Sequence, residues 1–140
     1  MHDTELALLI DRLMRRIHNG LQASAHSFDR KGVGPGGGII LMTLADHGGM
    51  RLSDLTTQVS RDKSQMTRAI RVLEGKGLVA RVPCETDGRV SRVSLTDAGH
   101  EVVAELTEAV AGVVGNLLTP LSAGEQRTLK DLLRRTGVDR

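Results

Sequence analysis

The sequence predicts a mostly helical α+β fold, in which one small β-hairpin interrupts a series of six helices. Three observations predict it. Apolar residues recur at three- and four-residue steps through both ends of the chain, the period of a helix face. Only residues 78–95 switch to strict alternation, the period of a strand. With 140 residues, 39% of them apolar and 26% charged, the chain is large enough for one ordinary globular domain.

The elements follow in order. Leu6, Leu9, Ile10, Leu13, Met14, Ile17 and Leu21 trace one face of a long amphipathic helix, read from Thr4 to Phe28. Gly32-Val33-Gly34-Pro35-Gly36-Gly37-Gly38 reads as a loop. Three glycines inside a helix would cost about 2–3 kcal/mol relative to alanines, so a late helix start or a mobile segment is expected there. Ile40, Leu41, Leu44 and Ala45 then form a short helix that stops at His47-Gly48-Gly49. Ser53 is the expected N-cap of a helix with Leu52, Leu55 and Val59 inward. Ser60-Arg61-Asp62 makes a turn and caps the next helix, whose inner face is Met66, Ala69, Ile70 and Leu73. Gly75-Lys76-Gly77 ends that helix. Leu78, Ala80 and Val82 alternate, as do Arg92 to Leu95, and the loop Pro83–Arg89 between them carries an Asp87-Gly88 turn signal. Thr96 caps a long helix built on Val102, Val103, Leu106, Val110, Val113, Val114, Leu117 and Leu118. Thr119-Pro120 breaks it, and Ser122-Ala123-Gly124-Glu125 opens the last helix as a capping box.

Composition removes several classes of function. Phe28 is the only aromatic residue, so the core must be aliphatic, and base stacking on aromatic rings, the usual basis of single-strand binding, has no platform. One cysteine, Cys84, excludes an intrachain disulfide and fits a reducing compartment. The first residues lack a basic stretch followed by an apolar run, and no apolar run approaches the length of a membrane span. A cytoplasmic protein with no membrane partner is expected.

Charge is distributed unevenly. Residues 51–92 hold nine basic against five acidic side chains, a net of +4, whereas residues 1–50 are balanced and residues 93–140 carry −2. A basic middle between neutral and acidic flanks is the pattern of a nucleic-acid face. The same middle segment holds two short helices joined by a tight turn, the second with a polar, basic outer face: a helix-turn-helix, winged by the hairpin after it. A helix entering the major groove must be narrow and polar outside, with Arg for guanine and Gln for adenine. Arg61, Ser64, Arg68 and Arg71 lie on that outer face, with Gln65 and Thr67 at its edges and Lys63 at its start.

At these residues the chain resembles the MarR family. RLSDLTTQVSRDKSQMTRAIRVLEGKGLVAR is similar to that family's paired helices, and ETDGRVSRVSLTDAG is similar to its wing, where Asp87, Arg89, Leu95, Thr96 and Gly99 fall on the family's pattern. The resemblance runs from about Leu6 to Arg135. It implies a single domain over 1–140, with dimerisation helices at about 4–30 and 97–136 and a winged helix-turn-helix DNA-binding lobe at about 36–96. It implies a homodimer on pseudo-palindromic duplex DNA, commonly a repressor, released by a small lipophilic or phenolic effector. It places Ser64, Gln65, Thr67 and Arg68 in the base-reading part of the recognition helix and Arg89 at the wing tip, with Asp87 positioned to hold it. The chain departs from the pattern at Gly88, where the family usually has a basic residue, and at Gly36–Gly38, where it has better helix formers.

Other chemistry has little support. The glycine run follows no strand and ends in no Lys-Ser/Thr, so it is not a nucleotide-binding loop. No nucleophile elbow or other catalytic signature occurs, and no enzyme is expected. His2, His18, His26, His47 and His100 are scattered without metal-ligand spacing, so neither a metal nor a cofactor is expected, and no ligand-binding residue is identified. Two alternatives to a ligand-responsive regulator are a winged-helix dimer serving as an architectural or protein-interaction module, and a redox switch through Cys84, whose only thiol partner is that of another copy.

Overall fold

The structure is a computed structural model that describes residues 2–29, 31–84 and 87–139, with residues 84 and 87–91 described by their backbone alone. Its elements run α1 (Thr4–Phe28), α2 (Gly34–His47), β1 (Met50–Arg51), α3 (Leu52–Val59), α4 (Lys63–Gly75), β2 (Val79–Cys84), β3 (Asp87–Leu95), α5 (Asp97–Leu117) and α6 (Ala123–Arg135). The strands form one antiparallel sheet in the order β1-β3-β2. The mostly helical architecture with a hairpin wing is the one the sequence predicts. The chain divides into two compact units, Ser24–Glu108 and the combination of Met1–Ala23 with Ala109–Arg140.

The unit Ser24–Glu108 contains the core. Ile40, Leu41 and Leu44 of α2, Leu55 of α3, Met66, Ile70 and Leu73 of α4, Met50, Leu78, Val79 and Val93 are all buried. Their spacing explains the helices: each buries one stripe and leaves polar residues outside. Of the apolar set that defines α2, Ile40, Leu41 and Leu44 are buried and Ala45 is exposed.

The glycine segment overturns the expectation of a loop. Gly34 to Gly38 are the first turns of α2, with Pro35 where a missing N–H costs nothing. The Asp29 carboxylate stands in for a cap, accepting the N–H of Val33 at 2.9 Å and of Gly34 at 3.0 Å. The glycines pack closely: a Cβ on Gly38 would lie 3.0 Å from Leu106 Cδ2, and one on Gly37 would lie 3.1 Å from Val33 Cβ and 3.6 Å from Leu73 Cδ2. Packing offsets the propensity that the sequence counts against a helix here.

Three local expectations also change. Ser53 is not a cap, since α3 starts at Leu52 after an extended Arg51 whose side chain makes no capping bond. The strand β1 was not foreseen. It is two residues long, and it forms because Met50 buries opposite Val93 while Arg92 Nη2 donates to the Gly49 carbonyl at 2.9 Å. The hairpin loop is shorter than Pro83–Arg89: β2 reaches Cys84 and β3 already includes Asp87, Gly88 and Arg89. The turn signal at Asp87-Gly88 therefore lies within a strand. The pairing carries a register irregularity between Pro83 and Cys84, where proline can donate no ladder bond.

The junction from wing to α5 is tightly built. Thr96 Oγ1 donates to the Gly77 carbonyl at 2.6 Å and accepts the Gly99 N–H at 3.1 Å, so the expected cap is present. The Leu78 carbonyl accepts the Thr96 N–H at 3.0 Å. It lies so close to Gly99 that a Cβ there would overlap it.

In the other unit α1 and α6 have no fully buried residue. Leu6, Leu9, Leu13, Met14, Leu132 and Leu133 are each about half exposed. A groove of about 400 Å³ runs between the end of α5 and α6, lined by Leu118, Gln126, Leu129, Lys130 and Leu133 among others. The capping box forms as expected: Ser122 Oγ accepts the Glu125 N–H, and Glu125 Oε1 accepts the Ser122 N–H at 2.8 Å. Hydrogen bonding to the carboxylate, first from the Ser122 backbone N–H and then from the Ser122 side chain, holds the Glu125 carboxyl below its ordinary range. No described helix is long and apolar enough to cross a membrane.

Candidate nucleic-acid interface

The helix-turn-helix is built from local rules. Ser60 sits in the left-handed region, with φ 57° and ψ 45°, and its N–H bonds back to α3, ending that helix in a sharp turn. Two residues later Asp62 caps α4, its Oδ1 accepting the Gln65 N–H at 2.8 Å. Asp62 therefore has a structural duty within a basic face. The inner side of α4 is fixed by Met66, Ile70 and Leu73, which are at most 2% exposed. Ala69 is half-buried against the same core.

That anchoring decides which side chains project. Lys63, Ser64, Gln65, Arg68 and Arg71 are exposed, while Arg61 and Thr67 are half-buried. Thr67 spends its hydroxyl hydrogen on the Lys63 carbonyl at 2.8 Å, leaving its oxygen as an acceptor. Val72 also lies on the outer side, 56% exposed. Seven of the nine residues predicted to meet DNA thus share one helix and the turn before it. The other two, Asp87 and Arg89, lie in β3, and their side chains are outside the described residues, as is that of Cys84. Glu85 and Thr86 lie outside the described residues altogether.

The basic residues divide into two groups. Arg81 Nε is 2.8 Å from Glu74 Oε1, Lys76 Nζ donates to the Lys31 carbonyl at 2.6 Å, and Arg92 holds Gly49. These three cations are used inside the fold. Among the described residues, Arg51, Arg61, Lys63, Arg68 and Arg71 have no acidic partner. Charge counting cannot separate the two groups, because the partners come from other elements. What remains is a set of uncommitted cations at the start and along the outer face of α4, with the amide of Gln65 and the hydroxyl of Ser64 among them. Such a set can meet phosphates and base edges together. The described residues include no group of three or more His, Cys, Asp or Glu placed to hold a metal.

Comparison with known proteins agrees with this geometry. Residues 39–91, which contain the helix-turn-helix and most of the wing, match the MarR family. The chain is 35% identical over 96 residues to the uncharacterised HTH-type transcriptional regulator YdgJ of Bacillus subtilis, covering 68% of this chain and 58% of that protein. It is 28% identical over 135 residues to the HTH-type transcriptional regulator PecS of Dickeya dadantii, covering 94% of this chain and 75% of PecS. Among solved structures, the PcaV transcriptional regulator of Streptomyces coelicolor, in complex with its natural ligand, superposes with a TM-score of 0.63 at 28% identity, over 98% of this chain and 97% of PcaV.

Proposed function

Because residues 39–91 match the MarR family, we propose that the chain is a member of that family: a sequence-specific duplex-DNA-binding transcription regulator that acts as a homodimeric repressor and is released by a small-molecule effector. The observation that carries this reading is α4: one face locked into the core by Met66, Ile70 and Leu73, the other presenting Ser64, Gln65, Arg68 and Arg71 to solvent. A rigid helix with an apolar back and an uncommitted, cation-rich front is what major-groove recognition requires. In this reading Lys63 and Arg61 meet the phosphate backbone at the turn, Ser64, Gln65, Thr67 and Arg68 read bases, and Arg89 on the wing, held by Asp87, reaches the flanking backbone or minor groove.

The unit Ser24–Glu108 serves as the DNA-binding lobe, and the half-exposed apolar side chains of α1 and α6 serve as the dimerisation surface. A twofold dimer sets two recognition helices about one DNA turn apart, roughly 34–36 Å, and so selects a pseudo-palindrome. The effector is supported by PcaV, whose structure holds its natural ligand. An effector releases DNA only by binding more tightly to a dimer whose half-site spacing does not fit. No residue of an effector site is assigned.

The test is fluorescence anisotropy with duplex DNA from upstream of the protein's own gene and with a scrambled duplex, at two salt concentrations. Tight, salt-sensitive binding that prefers the upstream duplex is expected. Equal binding to both would replace this reading with an architectural role, and binding to neither would replace it with a protein-interaction module.

A further inference from the structure

We propose that Gly36 is a positioning residue for Arg61: by carrying no side chain it seats the Arg61 guanidinium over the first turns of α2, at the mouth of the turn between α3 and α4, for contact with a DNA phosphate. The proposal rests on the DNA-binding reading above.

The contact is close. A Cβ on Gly36 would overlap Arg61 Nη2 and lie 3.0 Å from both Cζ and Nη1. The guanidinium therefore fills the space that any other residue at position 36 would occupy. Arg61 itself lies between the left-handed Ser60 and the Asp62 cap, so its backbone is fixed at both sides. It is half-buried, and among the described residues it has neither an ion pair nor a side-chain hydrogen bond. No buried side-chain nitrogen among the described residues lacks a partner, so the five guanidinium donors are met by water in the free protein and stay available to an anion. It also stands against the positive end of α2, where its charge is unfavourable. The Asp29 carboxylate at that end of α2 is taken up by the Val33 and Gly34 N–H groups, and no acidic side chain of the described residues pairs with the guanidinium. An anion with several acceptor oxygens fits it, and the DNA backbone supplies one beside a helix-turn-helix turn. Holding the side chain in one pose beforehand removes part of the ordering cost of binding.

Gly36 has an ordinary helical backbone, so alanine there is not strained. Alanine is also the better helix former. Its Cβ would displace only the far end of a flexible side chain. Gly36→Ala is therefore expected to behave unlike a structural glycine, keeping or raising stability while it unseats Arg61.

The experiment compares wild type, Gly36→Ala, Arg61→Ala and the double variant by thermal melting and by anisotropy on the upstream and scrambled duplexes across a salt series. Gly36→Ala is expected to melt no lower than wild type and to bind both duplexes roughly three- to tenfold more weakly, with a salt slope flatter by about one. The double variant is expected to bind like Arg61→Ala, because both changes remove the same contact. Wild-type affinity and slope in Gly36→Ala, or losses that add in the double variant, would overturn the proposal while leaving the DNA reading intact. A lowered melting point that accounts for the weaker binding would do the same. Wild-type protein that binds neither duplex would remove the DNA reading and this proposal with it.

Discussion

At the scale of single residues, the main distinction is between cations that are committed and cations that are not. Arg68 and Arg81 are both arginines of the basic middle segment, yet Arg81 is held by Glu74 at 2.8 Å and Arg68 projects alone from α4. Arg68→Ala is expected to cost about 1–3 kcal/mol at one base position and to relax the preference there. Arg81→Ala is expected to leave both sequence preference and salt slope near wild type. Anisotropy on a set of singly substituted duplexes measures both, and equal losses from the two variants would refute the division. Gly99 raises a different question at the same scale, one of space. Its added Cβ would overlap the Leu78 carbonyl oxygen and lie 3.2 Å from Leu95 Cδ2. Unlike the Arg61 tip, that carbonyl is backbone, already bonded to the Thr96 N–H, and cannot step aside. Gly99→Ala is expected to destabilise by about 1–3 kcal/mol through overpacking. Urea denaturation would show it as a lower midpoint, and an unmoved midpoint would contradict the close approach.

At the scale of elements, legibility tracked how local the determining physics was. The stripes of α1, α4 and α5, the capping box at Ser122 and the cap at Thr96 are set by neighbours three or four residues away, and the sequence showed them. The start of α2 is capped locally by Asp29, but its glycines are packed by Leu73 and Leu106, far from them in sequence, so local propensity gave a loop. Strand β1 depends on Val93 and Arg92, some forty residues on, and periodicity cannot register a two-residue strand. The outer face of α4 was legible as a list of residues. Which of the neighbouring cations are spent inside the fold was not, since Glu74 meets Arg81 across a helix and a strand. Asp62 shows how an element's physics can oppose its charge. In the proposed function an acid at the head of α4 would repel phosphate, yet Asp62 caps that helix. Asp62→Asn retains an acceptor for the Gln65 N–H and is expected to keep stability while strengthening non-specific DNA binding. Asp62→Ala is expected to lose about 1 kcal/mol, the usual worth of a cap. Chemical denaturation of the two variants separates the roles, and equal stability losses would show that Asp62 does not cap.

At the scale of the whole molecule, the two units differ in how well each satisfies itself. Ser24–Glu108 encloses an aliphatic core in which nine side chains are essentially inaccessible, from Ile40 to Val93. In the other unit Leu6 and Leu9 are each 53% exposed and Met14 is 58% exposed. Half-exposed apolar side chains recurring along one helix face suit an association face. The proposed function assigns it to a second copy, so that affinity for an operator would come from two half-sites engaged together. Linking two sites raises the local concentration for the second to the millimolar range, about 10²–10⁴ in overall affinity. Leu13→Asp places a charge in the middle of the α1 face, where burial against a partner would be costly. The variant is expected to sediment as a monomer, with helix content retained by circular dichroism because Leu13 is not part of the buried core. Its affinity for a two-half-site duplex is expected to fall to that for a single half-site, while the wild-type protein prefers the pair. Sedimentation velocity and anisotropy on one- and two-half-site duplexes read the two halves of this claim separately. A variant that stays dimeric would remove α1 from the interface, and a monomeric variant that still favours the double site would detach dimerisation from operator recognition.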